Sequence, residues 1–305
     1  MNKDDLEILS NILDGEIDSH QVHNIRKNGE SISRYSNENV QIINKENEPG
    51  IIVNVKKGVK DVVVQIPVIL TKEGFNDTVY NDFNIGEGSE VLIIAGCAIH
   101  NDCDITSTHS GIHTFNISKN AKVKYVEKHY GCGQVKENKI INTDTIIKLE
   151  SNSHFEIETI QISGVDKANR KTNAVLLDDS ILNIKEKLLT DEKDEVLTEF
   201  EVVLDGENAK TNISSRSIAK NNSVQKFYSN IIANCKSFGH VECDAIMMDQ
   251  AKIESTPKVV ANNVDALLSH EAAIGKINEN QILKLKTLGL TEEEAVEEII
   301  RGFMK

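Results

Sequence analysis

Soft and borderline metal ligands are concentrated in one stretch of this chain. Cys97, His100, Cys103, His109, His113, His129 and Cys132 bring three of the five cysteines and four of the nine histidines into residues 97–132. Thiol and imidazole groups at that density point to metal or sulfur chemistry. The spacings match no zinc finger. Cys97-x2-His100-x2-Cys103 on an extended strand would send neighbours to alternate faces, so the same residues also read as core histidines and buried thiols. Cys235 and Cys243, close to His240 and Glu242, form a second group. They share a face if the chain runs straight, which Gly239 makes doubtful. His270-Glu271 is a third pair, equally readable as an exposed dipeptide before a helix.

Several chemistries are excluded by what is missing. There is no G-x-x-x-x-G-K-[ST] phosphate loop, no G-x-S-x-G elbow and no G-x-G-x-x-G fingerprint in the sequence. The net charge of −14 opposes binding to a phosphate backbone. The start, Met1-Asn-Lys-Asp-Asp, lacks the order of a secretory signal. Apolar runs such as Val91-Leu-Ile-Ile94 are too short to span a bilayer. A cytoplasmic location is expected, and five cysteines, an odd number, then read as thiols.

The elements that must position these residues are mainly strands. Residues 4–14 place Leu6, Ile8, Leu9, Ile12 and Leu13 near one helical face, with Gly15 as a stop. A polar segment with weak helical and extended signals follows to about residue 47. From Ile51, alternation of β-branched residues dominates. A polar residue, a small residue and alternating apolar positions recur at Gly88-Ser89, Asn120-Ala121, Asn152-Ser153, Asp179-Ser180, Asn208-Ala209 and Asn222-Ser223. The spacings are those of whole or half coils of a β-solenoid. A narrow aliphatic interior suits a chain with no Trp and 4% aromatic residues. A β-sandwich with long strands is the alternative. After about residue 265 helices are expected: one capped by Asn278 and carrying Ile282, Leu283, Leu285 and Leu288, and one opened by the capping box Thr291-Glu-Glu-Glu294. The organisation is therefore a helical or irregular segment over 1–50, a β-helix core over 51–264 and a helical segment over 265–305.

Ile85-Gly-Glu-Gly-Ser-Glu-Val-Leu-Ile-Ile-Ala-Gly-Cys97 resembles the central segment of SufB/SufD proteins. Gly239-His-Val-Glu-Cys-Asp-Ala245, Ser269-His-Glu-Ala-Ala-Ile-Gly-Lys-Ile277, Gly289-Leu-Thr-Glu-Glu-Glu-Ala295 and Ile300-Arg-Gly-Phe303 extend the resemblance, which covers roughly residues 50–305 and looks like the compact archaeal type. It implies a right-handed parallel β-helix, a scaffold for iron–sulfur cluster assembly rather than an enzyme, a SufC-type ABC ATPase on the C-terminal helices, and a homodimer through the last β-helix strands. Cys97 matches the cysteine associated with sulfur acceptance, and Cys243 that of the family's Cys-Asp segment. His270 and Glu271 match its His-Glu as nitrogen and oxygen ligands. The sequence departs from SufB at Ala251, where SufB carries a cysteine. That absence motivates Cys235 as a substitute ligand, so that Cys235, Cys243 and Glu271 of two chains would hold iron. The roles of His100, His109 and His113 stay open between metal handling and solenoid surface. Two alternatives remain: a SufD-like subunit holding no cluster, and a β-helix enzyme acting on polysaccharide.

Overall fold

In a computed structural model, which describes residues 3–13, 20–134 and 138–305, strands dominate. The chain runs α1 (Lys3–Leu13), β1 (Val22–Lys27), β2 (Glu30–Tyr35), β3 (Val40–Asn44), β4 (Gly50–Val55), β5 (Val62–Leu70), β6 (Asn76–Ile85), β7 (Glu90–His100) and β8 (Ser107–Ile117). It continues with β9 (Lys122–Cys132), β10 (Lys139–Leu149), β11 (His154–Ser163), β12 (Lys167–Leu176), β13 (Ile181–Thr190), β14 (Glu195–Leu204), β15 (Lys210–Ala219) and β16 (Val224–Ala233). It closes with β17 (Phe238–Met247), β18 (Lys252–Ala261), β19 (Leu267–Gly275), α2 (Glu279–Lys286) and α3 (Glu292–Phe303).

Two sheets build a parallel β-solenoid. One has the order β19-β17-β15-β13-β11-β9-β7-β5-β1-β2, the other β18-β16-β14-β12-β10-β8-β6-β4-β3. Every pairing from β4 and β5 onward is parallel. Facing positions in successive coils, such as Val91, Val123, Phe155 and Leu182, are 32, 32 and then 27 residues apart, as the repeat spacing predicts.

The repeat works through its turns. Asn120, Asn152, Asp179 and Asn208 adopt φ of 60°, 58°, 56° and 59°, a left-handed conformation that Asn and Asp tolerate better than other side-chain-bearing residues. The small residue after each one, Ala121, Ser153, Ser180 or Ala209, is buried, and its N–H donates to the carbonyl three residues back. Only a small side chain fits where the coil bends into the core. Strand alternation then fills the interior with Val, Ile, Leu and Phe.

Two boundaries differ from the sequence pattern. The segment around 22–44 is extended: β1 and β2 form an antiparallel hairpin, and β3 pairs antiparallel with β4, so these strands close the first end of the solenoid. The hairpin turns at Asn28-Gly29, with φ of 47° and 86°, the pair a two-residue hairpin loop favours. At the other end β19 is a strand through Gly275, and helix begins only at Glu279. The stop expected at Gly15 lies outside the described residues. Helix α1 lays Ile8, Leu9, Ile12 and Leu13 against Ile25, Ile69 and Ala98, and Lys27 pairs with its Asp5 at 2.7 Å. The C-terminal caps form as read: Asn278 accepts from Asn280 N–H, and Thr291 and Glu294 make the reciprocal capping box.

Asp194 lies in the turn between β13 and β14, facing Asp166, Asp191 and Glu192. Burial and these acids push its carboxyl up to about 7, against a hydrogen bond from the Asp191 N–H. A carboxyl raised in the folded state destabilises progressively as pH rises from about 4 to about 7. Asp194→Asn should therefore raise stability at pH 8 by about 2 kcal/mol, allowing for partial exposure, and give no gain at pH 4. Urea unfolding at the two pH values measures this.

Candidate functional site

The parity of each strand decides which reactive side chains enter the solenoid. On β7, Val91, Ile93, Ala95 and Ile99 point inward, and Cys97 shares their parity; it is 3% exposed. On β9, Glu127 and His129 share the inward parity of Val123 and Tyr125. His109 and His113 on β8 enter with Phe115 and Ile117. His100 has the opposite parity and is partly exposed.

These inward groups line up along the solenoid axis. Cys97 registers beside His129, and His129 beside Gln161. From the facing sheet, Arg170 on β12 donates to His129 Nδ1 at 3.2 Å and to Gln161 Oε1, and its Nη1 lies 3.5 Å from Glu186 on β13. Glu186 accepts from Ser215 on β15 at 2.8 Å and from Thr198 on β14 at 2.8 Å. Ser215 registers beside Cys243 on β17. A row of buried polar side chains thus runs from the register position of Cys97 to that of Cys243. It crosses five strand spacings of one sheet, about 24 Å.

A second polar group lies nearer the first end. Arg26 donates two hydrogen bonds to Asp77 at 2.9 and 2.7 Å, and His109 Nδ1 lies 3.4 Å from the same carboxylate. Burial would raise the Asp77 carboxyl, but Arg26 and His109 outweigh it and hold it well below the usual range. Burial likewise opposes ionisation of Glu127, yet His129 and His113 bring it down to about 2. His113 falls to about 4 through burial, against the pull of Glu127.

His113, Glu127 and His129 offer two imidazoles and a carboxylate, a set known for binding iron. Their hydrogen bonds argue otherwise. Arg170 can only donate, so His129 Nδ1 is an acceptor and the ring proton sits on Nε2, the nitrogen facing Glu127 at 3.4 Å. A protonated Nε2 cannot ligate. The ring N–H groups and the guanidinium are instead balanced by the Glu127 and Glu186 carboxylates within one buried cluster.

Burial raises the Cys97 thiol well above its ordinary value, reinforced by Asp77 and Glu127. Burial also raises Cys243, opposed by a hydrogen bond with Ser255 and reinforced by Glu186 and Asp244. Both rest as thiols.

The other predicted residues sit around the last coil. His270 registers beside Val241, the inward row that also holds Cys243; Glu271 registers beside Glu242, one residue out of that row. The two neighbours therefore occupy opposite faces of β19, both exposed. Cys235 is in the turn before β17, where its thiol donates to the Asp205 carbonyl at 3.1 Å. Cys243 lies five residues into β17, about 16 Å along the strand from its start. One chain does not bring Cys235 and Cys243 together. Ala251 follows the left-handed Asp249 in the turn into β18. Sequence reading missed Glu127, Arg170, Glu186 and Ser215, although each shares parity with an inward aliphatic residue of its strand.

The last coil is open. Among the described residues Val264 is fully exposed and Leu267 63% exposed; α2 buries no residue, and Leu283 and Leu288 face solvent. No helix among the described residues is long and apolar enough to cross a membrane.

The family model for the SufBD core domain of the SUF iron–sulfur cluster assembly system matches residues 71–303. An iron–sulfur cluster assembly SufBD family protein of Archaeoglobus fulgidus is 32% identical over 79% of this chain and 65% of its own length. One from Methanothermobacter thermautotrophicus is 27% identical over 84% of this chain and 62% of its own length. A third, from Methanocaldococcus jannaschii, is 30% identical over 82% of this chain and 79% of its own. The chain thus spans just under two thirds of the first two relatives. The match runs through the coils that carry the polar column and on into the C-terminal helices, and the chain belongs to the SufBD family of iron–sulfur cluster assembly proteins.

Proposed function

We propose that the chain is a scaffold on which an iron–sulfur cluster is built and then released, within a cytoplasmic complex whose nucleotide chemistry belongs to a SufC-type ABC ATPase. The observation that carries this reading is the buried column from Cys97 to Cys243. In this reading Cys97 is the sulfur-side thiol and Cys243 the cluster-side thiol, and the His129, Arg170, Glu186 and Ser215 side chains line the buried interval between them. The cluster is the cargo of this protein. Cys243 and His270 share a row at the open last coil, so they are the first ligands; Glu271, on the opposite face of β19, serves as an oxygen donor only at a site shared with a second chain. Weak oxygen and nitrogen ligation leaves a cluster easier to release than four thiolates.

The exposed edge of the last coil supports a homodimer there, which doubles the ligand set. In that arrangement Cys235 contributes only by reaching the partner's site. The helical hairpin of α2 and α3, with Leu283 and Leu288 outward, supports docking of the ATPase. Cys243→Ser should lose essentially all of the visible charge-transfer absorbance that the wild type gains on anaerobic reconstitution with ferrous iron and sulfide. Cys235→Ser tests the substitute ligand in the same assay. Full absorbance in Cys243→Ser would remove Cys243 from the ligand set, and no absorbance in the wild type would leave the SufD-like structural role as the better reading.

A further inference from the structure

Outside the solenoid wall lies a second thiol arrangement that the interior column does not use. Cys132 and His100 register side by side on β9 and β7, at outward positions. Cys132 Sγ is 3.4 Å from His100 Nδ1, and His100 Nε2 is 3.0 Å from Asp102 Oδ2. The other oxygen, Asp102 Oδ1, accepts the Gln134 backbone N–H at 2.7 Å, which fixes the carboxylate. With Asp102 accepting from Nε2–H, the free lone pair of His100 is at Nδ1, facing the thiol. This is the nucleophile, base and orienter order of thiol catalysis.

An independent feature is the space beside the thiol. Cys132 lines a surface pocket of about 230 Å³ with Gly131, Gly133, Gly164, Lys139 and Asp166. The Gly131 and Gly164 backbones are so close that a Cβ on Gly131 would lie 1.7 Å from the Gly164 carbonyl oxygen, so this part of the pocket wall is bare backbone. Burial raises the Cys132 thiol, with Lys139 drawing it down and Asp102 and Glu7 pushing it up. It rests protonated and needs a base to become nucleophilic. Cys97, by contrast, faces the interior and is 3% exposed.

We infer that Cys132, His100 and Asp102 form a surface site that takes sulfane sulfur from a persulfide. The inference rests on reading the chain as a cluster scaffold. In the step, His100 Nδ1 accepts the thiol proton and Cys132 Sγ attacks the outer sulfur of R–S–SH. A Cys132 Sγ–S bond forms and the donor's S–S bond breaks, its electron pair leaving on R–S⁻. His100 returns the proton to that thiolate, so Cys132–S–SH and R–SH result with no net oxidation. The pocket wall also carries Asp191, Glu192 and Asp194, so a neutral or cationic persulfide is favoured over an anionic oxysulfur compound.

The test exposes the full-length protein to cysteamine persulfide or to thiosulfate, then alkylates and maps modified cysteines by mass spectrometry. Cys132 should be the first thiol to gain one sulfur, from cysteamine persulfide and not from thiosulfate. His100→Gln should slow labelling about a hundredfold with an unchanged circular dichroism melt, and Asp102→Asn should slow it less. Equal rates in His100→Gln, or a wild-type Cys132 that labels only after denaturation, would overturn the inference. Reconstitution separates this from the scaffold reading. Cys132→Ser should still form a cluster from ferrous iron and inorganic sulfide, while the protein's remaining thiols gain no sulfur from cysteamine persulfide at the wild-type rate. A wild type that forms none from inorganic sulfide defeats the scaffold reading, whatever Cys132 does.

Discussion

Arg170→Ala should destabilise the solenoid by about 3–5 kcal/mol, the usual cost of stranding the partner of a buried charge. The guanidinium is 6% exposed and the Glu186 side chain lies 1% exposed beside it. Burial lowers the arginine's pKa, and the nearby Glu186 and Glu127 oppose that shift. Without Arg170, Glu186 keeps only the hydroxyls of Thr198 and Ser215, and His129 and Gln161 lose their shared donor. Urea unfolding reads the loss. The double variant Arg170→Met with Glu186→Leu should recover most of it, because two apolar side chains remove the uncompensated charge. An unchanged unfolding midpoint in Arg170→Ala would show that the interior is wet enough to solvate Glu186.

Phe115→Ala should cost a similar amount, about 3–5 kcal/mol, by a different route. Phe115 stacks on Phe83 with ring centroids 4.5 Å apart and lies 4.9 Å from both Tyr125 and Phe155. Four of the chain's few aromatic rings thus fill one segment of the interior. Removing the central one leaves a void lined by rigid rings, which collapse poorly. Coils interact chiefly with their neighbours, so the damage should stay local. Amide hydrogen exchange should accelerate in β6, β8 and β9 and remain slow in β14 to β17. Uniform acceleration would mean that the solenoid unfolds as one unit.

The legible and illegible parts of the molecule differ for physical reasons. Coil spacing was readable because each turn needs a residue tolerant of positive φ followed by a small one, and Asn120-Ala121 and Asn152-Ser153 announce that pair in sequence. The capping box at Thr291 was readable because it is local. The column was not. Arg170, Glu186 and Ser215 come from three strands far apart in sequence, and only coil stacking unites them. A clue existed on β9, where Glu127 and His129 continue the parity of Val123 and Tyr125. A charged residue in that position is usually solvent-facing, so parity alone does not announce burial. The strands before residue 45 were hidden by their polar composition, although Asn28-Gly29 marks the hairpin. The helical pattern drawn back to residue 265 overlooked β19, whose exposed residues resemble a helix flank.

The coil also acts as a ruler. Cys97 and Cys243 are held apart by a whole number of coils, so their separation changes only in steps of about 4.8 Å. Removing one residue from a strand would reverse which side chains face inward beyond it and break the column. Removing a full coil, such as residues 181–209, would keep every remaining parity and bring Cys97 and Cys243 one step closer, while taking Glu186 out of the column. Length variation in this architecture is therefore quantised, and a distance between two reactive sulfurs can be tuned without redesigning either end.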